Sequence, residues 1–171
     1  MKITREWAMP NKWTFKIKPI KLFLDEELAP YKGVIDPFAG MYSPAEITND
    51  INPDCKAQYR MDALDFLNMF EPYSVDGLIY DPPYSLSMSE RKYKKATSGF
   101  VSQISKWKKQ ARLILKPGAK AVCFGWDSMG LGTKNFELER ILLVCHGATH
   151  HDTICTVERK IQHTLKEKMK K

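Results

Sequence analysis

The sequence predicts an α/β fold built on a mostly parallel sheet. Short runs of β-type apolar residues alternate with stretches whose apolar residues recur at helical spacing. Four aspartates, Asp36, Asp50, Asp62 and Asp81, follow such runs or lie within a residue or two of one. Open α/β sheets bind ligands beyond the carboxyl ends of their strands, which is where these acids would gather. A chain of 171 residues, 43% apolar and 27% charged, has enough material for one domain with a sizeable core.

Gly33 to Asp36 reads as a first strand, stopped by Pro37-Phe38-Ala39-Gly40. Ala45 to Thr48 reads as a second, ending in Asn49-Asp50. Parallel neighbours need a crossover of about a dozen residues or more. Only Pro37 to Ile47 is available, so this crossover is expected to be a loop without a full helix. Tyr59 to Met61 reads as a short third strand and Ala63 to Phe70 as a helix. Val75 to Tyr80 is a buried strand that must turn at Pro82-Pro83, because two prolines cannot continue a central strand. Phe100, Val101, Ile104, Trp107, Ala111, Ile114 and Leu115 put a helix over Ser98 to Leu115, stopped by Lys116-Pro117-Gly118. Ala119 to Trp126 is a further strand, with Trp126-Asp127 read either as bordering a substrate channel or as a strand cap. Leu138 to Cys145 and Thr153 to Glu158 read as a closing antiparallel pair around Gly147 to Asp152, and the tail after Arg159 as a frayed basic helix.

Charge is unevenly spread. Six bases and one acid lie in Met1 to Leu24, and twelve acids and three bases in Asp25 to Asp81. Eight bases and one acid follow in Glu90 to Arg112, then six bases and two acids in Val157 to Lys171. An acidic middle with basic flanks points to a polyanion touching the flanks, with nucleic acid the natural candidate. Arg91, Lys92, Lys94 and Lys95 are the candidate phosphate contacts, because their segment leaves directly from Asp81-Pro82-Pro83-Tyr84. Cys55, Cys123, Cys145 and Cys155 are widely spaced with no CxxC pair, and read as small buried thiols. His150-His151-Asp152 reads as a turn before the last strand, and no metal site is expected. No apolar run is long enough to span a membrane, and Met1 to Trp7 lacks a signal-peptide core, so a cytoplasmic location is expected.

Asp81-Pro82-Pro83-Tyr84 is the most specific signal. An exocyclic amine on a nucleobase is a poor nucleophile, because its lone pair is delocalised into the ring. A carboxylate (Asp81) beside a rigid carbonyl (Pro82) would accept both hydrogens and localise that pair, with Pro82 and Pro83 fixing φ. Tyr84 offers a flat face for an extruded base.

Asp81-Pro82-Pro83-Tyr84-Ser85 resembles the DPPY motif of the amino-methyltransferases, especially the DNA adenine-N6 methyltransferases. Val34 to Gly40 resembles their DPFxG motif, and Phe15 to Ile20 the KP segment that precedes it. Ile47 to Asp50, Met61 to Leu67 and Thr153 to Lys160 are similar to further family segments, so the resemblance runs from about residue 13 to 160. It implies S-adenosylmethionine as cofactor. The implied fold is a Rossmann-like methyltransferase fold: a mostly parallel seven-stranded sheet with one antiparallel strand near the C-terminus. Asp36, Pro37, Phe38, Ala39 and Gly40 are then expected at the methionine part of the cofactor, bordered by Lys18 and Pro19. Asp50 is expected at the ribose, and Asp62 with Ala63 at the adenine. Asp81, Pro82, Pro83 and Tyr84 are the expected catalytic residues.

The implied reaction is methyl transfer to the N6 amine of adenine in DNA. The alternatives are the same chemistry on RNA, or a nucleic-acid-binding module whose active site has decayed. Where the family continues DPFxG with Ser/Thr-Gly and a helix, this chain has Met41-Tyr42-Ser43-Pro44. The expected layout is one methyltransferase domain over 1–160, a basic tail over 161–171, and no separate target-recognition domain. Such a layout goes with loose specificity, a homodimer, or a separate specificity partner.

Overall fold

The computed structural model describes residues 1–83, 100–132, 134–147 and 149–161. The elements in chain order are β1 (Lys2–Trp7), a 3-10 turn (Thr14–Lys16), α1 (Lys18–Leu28), β2 (Ile35–Asp36), β3 (Ile47–Thr48), α2 (Ala63–Leu67), β4 (Val75–Tyr80), α3 (Phe100–Ile114), β5 (Leu115–Gly125), β6 (Phe136–Cys145) and β7 (Thr153–Lys160). Among the described residues seven strands form one sheet in the order β1-β6-β7-β5-β4-β2-β3. All neighbours are parallel except at β7, which runs antiparallel to both β5 and β6.

The period of two along each strand sorts side chains into two layers. Leu78 and Tyr80 of β4, with Ala121 and Cys123 of β5, pack against α2 and α3 through Phe66, Leu67, Trp107, Ala111 and Ile114. Ile79, Val122, Phe124, Leu142, Val144, Cys155 and Val157 turn the other way, onto Ile20, Phe23, Leu24 and Leu28 of α1. Those α1 positions recur at helical spacing, and Pro19 opens the helix where its missing N–H costs nothing. Gly77 lets β4 sit close to β2, since a Cβ there would meet Val34 Cγ2 at 2.9 Å.

Several boundaries differ from the sequence reading. The seventh strand is β1 and not Tyr59 to Met61, which contributes one parallel bridge between Asn49 and Tyr59. β1 is exposed on both faces, so it carries no alternation by which to recognise it. Its partner β6 supplies its pairing, from Lys2 opposite Arg140 to Trp7 opposite Cys145. The helix α1 is a further element absent from the sequence reading. β5 starts at Leu115, and the Lys116-Pro117-Gly118 stop is absorbed as an irregularity: Val75 faces Leu115, while Gly77 faces Lys120. The helix expected to reach Phe70 ends at Leu67. The crossover from β2 to β3 is a loop, as its length requires. Ser98 and Gly99, at the expected start of α3, lie outside the described residues, as does the tail from residue 162.

All four cysteines are buried, and among the described residues none forms a disulfide. Among the described residues no helix is long and apolar enough to cross a membrane.

Candidate active site

β2, β3 and β4 deliver their acids to one edge of the sheet. Asp36 ends β2 fully buried. Its Oδ1 accepts the Phe38 N–H at 2.8 Å, and its Oδ2 is 2.6 Å from the Ser43 hydroxyl. Burial pushes its pKa up to about 8; the hydrogen bonds from Ser43 and Phe38 oppose this, and the nearby charges of Asp81 and Asp50 add to it. At neutral pH the Asp36 carboxyl is therefore mostly protonated.

Asp50 is also buried. Its two oxygens accept the N–H groups of Gly40 and Asn52, both at 2.8 Å. Gly40 has φ +58, a conformation that favours glycine, so its N–H reaches Asp50 without a side-chain penalty. Asn49, fully buried, ties three segments together. Its side-chain amide donates to the carbonyls of Pro37 and Met61 and accepts the Met61 N–H, each at 3.1 Å. The Asn49 backbone also donates to Asp36 O and accepts from Ala39 N.

Asp62 caps α2: its Oδ1 accepts the Leu64 N–H at 2.7 Å, and its Oδ2 receives the Gln103 amide at 3.2 Å. Ala63 is buried in the first turn. Asp81 follows β4 half-buried, close enough to raise the pKa of Asp36 and contribute to that of Cys155. Pro82 and Pro83 form one wall of a cleft of about 180 Å³, with Gly125, Trp126 and Asp127 at the end of β5 and Lys108 on α3. Tyr80 also lines it, with a buried hydroxyl that has no hydrogen-bond partner among the described residues. Trp126 is about half exposed and lies 4.5 Å from the His151 ring, centroid to centroid.

The structure thus gathers Asp36 to Gly40, Asp50, Asp62 and Asp81 to Pro83 at one sheet edge. Lys18 and Pro19 lie elsewhere: they open α1 and line a groove with Glu6, Trp7, Phe23 and Arg140. The segment just before them touches the loop after Asp36 instead, through Lys16 Nζ at 4.2 Å from the Tyr42 ring and Trp13 edge-on to Tyr42. Tyr84, Arg91, Lys92, Lys94 and Lys95 lie outside the described residues. Sequence reasoning missed Asn49, Ser43 and Gln103. Asn49 and Gln103 act on partners twelve or more residues away, and Ser43 on Asp36 seven residues back and on the Ala45 N–H beside it; in the sequence only the adjacency of Asn49 to Asp50 points to a role.

No protein-family model matches the chain, and no curated protein matches it in sequence. Solved structures match it in fold. TrmN from Thermus thermophilus aligns with a TM-score of 0.60 at 17% identity, over 85% of this chain and 49% of TrmN, so the chain spans about half of that protein. The candidate methyltransferase yhhF of Escherichia coli aligns at 0.56 with 16% identity, over 91% of this chain and 92% of yhhF. The N-methyltransferase NodS of Bradyrhizobium japonicum WM9, in complex with S-adenosyl-L-homocysteine, aligns at 0.57 with 11% identity, over 83% of this chain and 85% of NodS. At these identities the likeness is one of architecture: the chain has a Rossmann-like methyltransferase fold.

Proposed function

We propose that this chain is an S-adenosylmethionine-dependent methyltransferase that acts on the exocyclic N6 amine of adenine in DNA. The observation that supports this most is the exit of β4. Asp81-Pro82-Pro83 leaves the strand beside Asp36, and the two prolines wall a cleft faced by Trp126 and Lys108.

The residues present suit the cofactor. Its ribose hydroxyls and its adenine and methionine amines are hydrogen-bond donors, and the edge offers the carboxyl groups of Asp50 and Asp62, while Asp36 holds the loop between them. Its sulfonium is positive, which relieves the mutual repulsion of clustered acids. Among the described residues, chain neighbours aside, nothing lies within 4 Å of where a Cβ would stand on Gly40, which leaves room for a ligand beside the Asp36 to Gly40 loop. Asp50 would hold the ribose and Asp62 the adenine amine, while the loop held by Asn49 would face the methionine part.

Bound S-adenosylmethionine would supply an activated methyl group. The chain's own task is to prepare the amine. Asp81 and the Pro82 carbonyl accept its two hydrogens, which localises the nitrogen lone pair. Rigid proline backbone keeps that geometry, so positioning supplies most of the effect; the methylated nitrogen is acidic and sheds its extra proton to solvent past Asp81, so no strong base is required. Tyr84 stacks on the extruded base, and Arg91, Lys92, Lys94 and Lys95 contact phosphates.

Incubation with labelled S-adenosylmethionine and unmethylated duplex DNA, single-stranded DNA or RNA, followed by nucleoside analysis, tests the reading. Label in N6-methyladenine from DNA is expected. Label from RNA alone moves the substrate to RNA. No transfer and no cofactor binding by calorimetry would leave a binding module.

A further inference from the structure

We infer that β1 is a homodimerisation strand, pairing antiparallel with β1 of a second copy to extend the sheet across a two-fold axis at Thr4. β1 is the edge strand of the described sheet and pairs only with β6. Its backbone polarity follows from one contact. The Ala8 N–H donates to Cys145 O, and parallel neighbours bond through alternate residues. The even positions therefore face β6, and Ile3, Arg5 and Trp7 present their N–H and C=O groups to the open edge.

Self-complementarity selects the register. With Thr4 opposite Thr4, Ile3 and Arg5 form the hydrogen-bonded pair, twice by symmetry. Lys2 then stands opposite Glu6, also twice, at the closer non-hydrogen-bonded positions where cross-strand side chains interact best. Shifting by one residue along each strand sets Arg5 against Arg5, or breaks the Lys2–Glu6 match. A second copy is thus the occupant whose charges fit this edge.

Exposed apolar surface clusters at the same edge. Ile3 and Trp7 are 64% and 67% exposed, and Leu22 is 58% exposed in the groove that β1 forms with α1. Ile3, Ile141, Leu143 and Ile154 belong to neither core cluster. A second copy would cover part of this surface. Because the two strands run antiparallel, the two candidate active edges point in opposite directions. This dimer therefore does not share target recognition between its sites.

Sedimentation velocity of the full chain tests the inference, and it reads mass alone, independently of catalysis. A dimer is expected for the native chain. Lys2→Glu and Glu6→Lys should each weaken it at least about tenfold, since two attractive pairs become repulsive. Mixing the two variants should restore dimers, because one copy then brings two acids and the other two bases to both pairs. Both positions are exposed, so neither change threatens the fold. A monomeric native chain, or a dimer indifferent to both reversals, overturns the inference.

Discussion

The carboxyl edge of the sheet has two halves built from similar residues to different ends. On the β2–β3 half, the oxygens of Asp36 and Asp50 are turned inward onto Phe38, Ser43, Gly40 and Asn52, and both side chains are buried. On the β4–β5 half, Asp81 is only half-buried, and Pro82, Pro83 and Trp126 line an open cleft. An acid after a strand is therefore not one kind of feature. Where the next loop must fold back on itself, the carboxylate supplies acceptors for that loop's N–H groups. After β4, two prolines fix the backbone dihedrals of the turn that follows the acid.

The largest expected effect breaks the comparison on the β4 side. Asp81→Ala should lower methyl transfer at least about a hundredfold, the scale of losing one preorganised hydrogen-bonding group, with cofactor affinity nearly unchanged. Lost affinity in a folded variant would place Asp81 on the cofactor half. Asp50→Ala should do the reverse. It should weaken cofactor binding and destabilise the fold by about 1–3 kcal/mol for each N–H left without an acceptor, measured by urea unfolding. Unchanged stability would mean that Asp50 does not hold the loop.

A further effect on the β2 side is a slope. Asp36 keeps its proton in the folded state up to about pH 8, whereas an unfolded aspartate loses it near its ordinary value of 3.8. Between those values the folded state binds more protons, so stability falls as pH rises from about 4 to about 8 and levels off above. Asp36→Asn removes the titration. The stability of the native chain relative to that variant should fall through this window, and equal pH profiles would show that Asp36 titrates normally.

Much of this edge was legible in the sequence. Val34-Ile35-Asp36-Pro37 and Ile79-Tyr80-Asp81-Pro82-Pro83 announce a buried run, an acid and an enforced turn, all set by residues adjacent in the chain. Their β-type apolar runs also mark β4, β6 and β7. The apolar spacing of Ile20, Phe23, Leu24 and Leu28 also marks α1 in the sequence, beside the Lys18-Pro19 resemblance.

Other features rest on partners distant in sequence. Lys2 to Trp7 has no buried face, so only pairing with β6 makes it a strand, whereas Tyr59 to Met61 looked like one and makes a single bridge. Pro117 and Gly118 fall within β5 because the β4 partner shifts register around them. Asn49 became the tie between three loops only when folding brought Pro37 and Met61 within reach of one amide. Local chemistry decides where a chain turns and which face it buries. Long-range hydrogen bonding decides which extended segments join the sheet and which carboxylates are already engaged, because those partners exist only once the fold has formed.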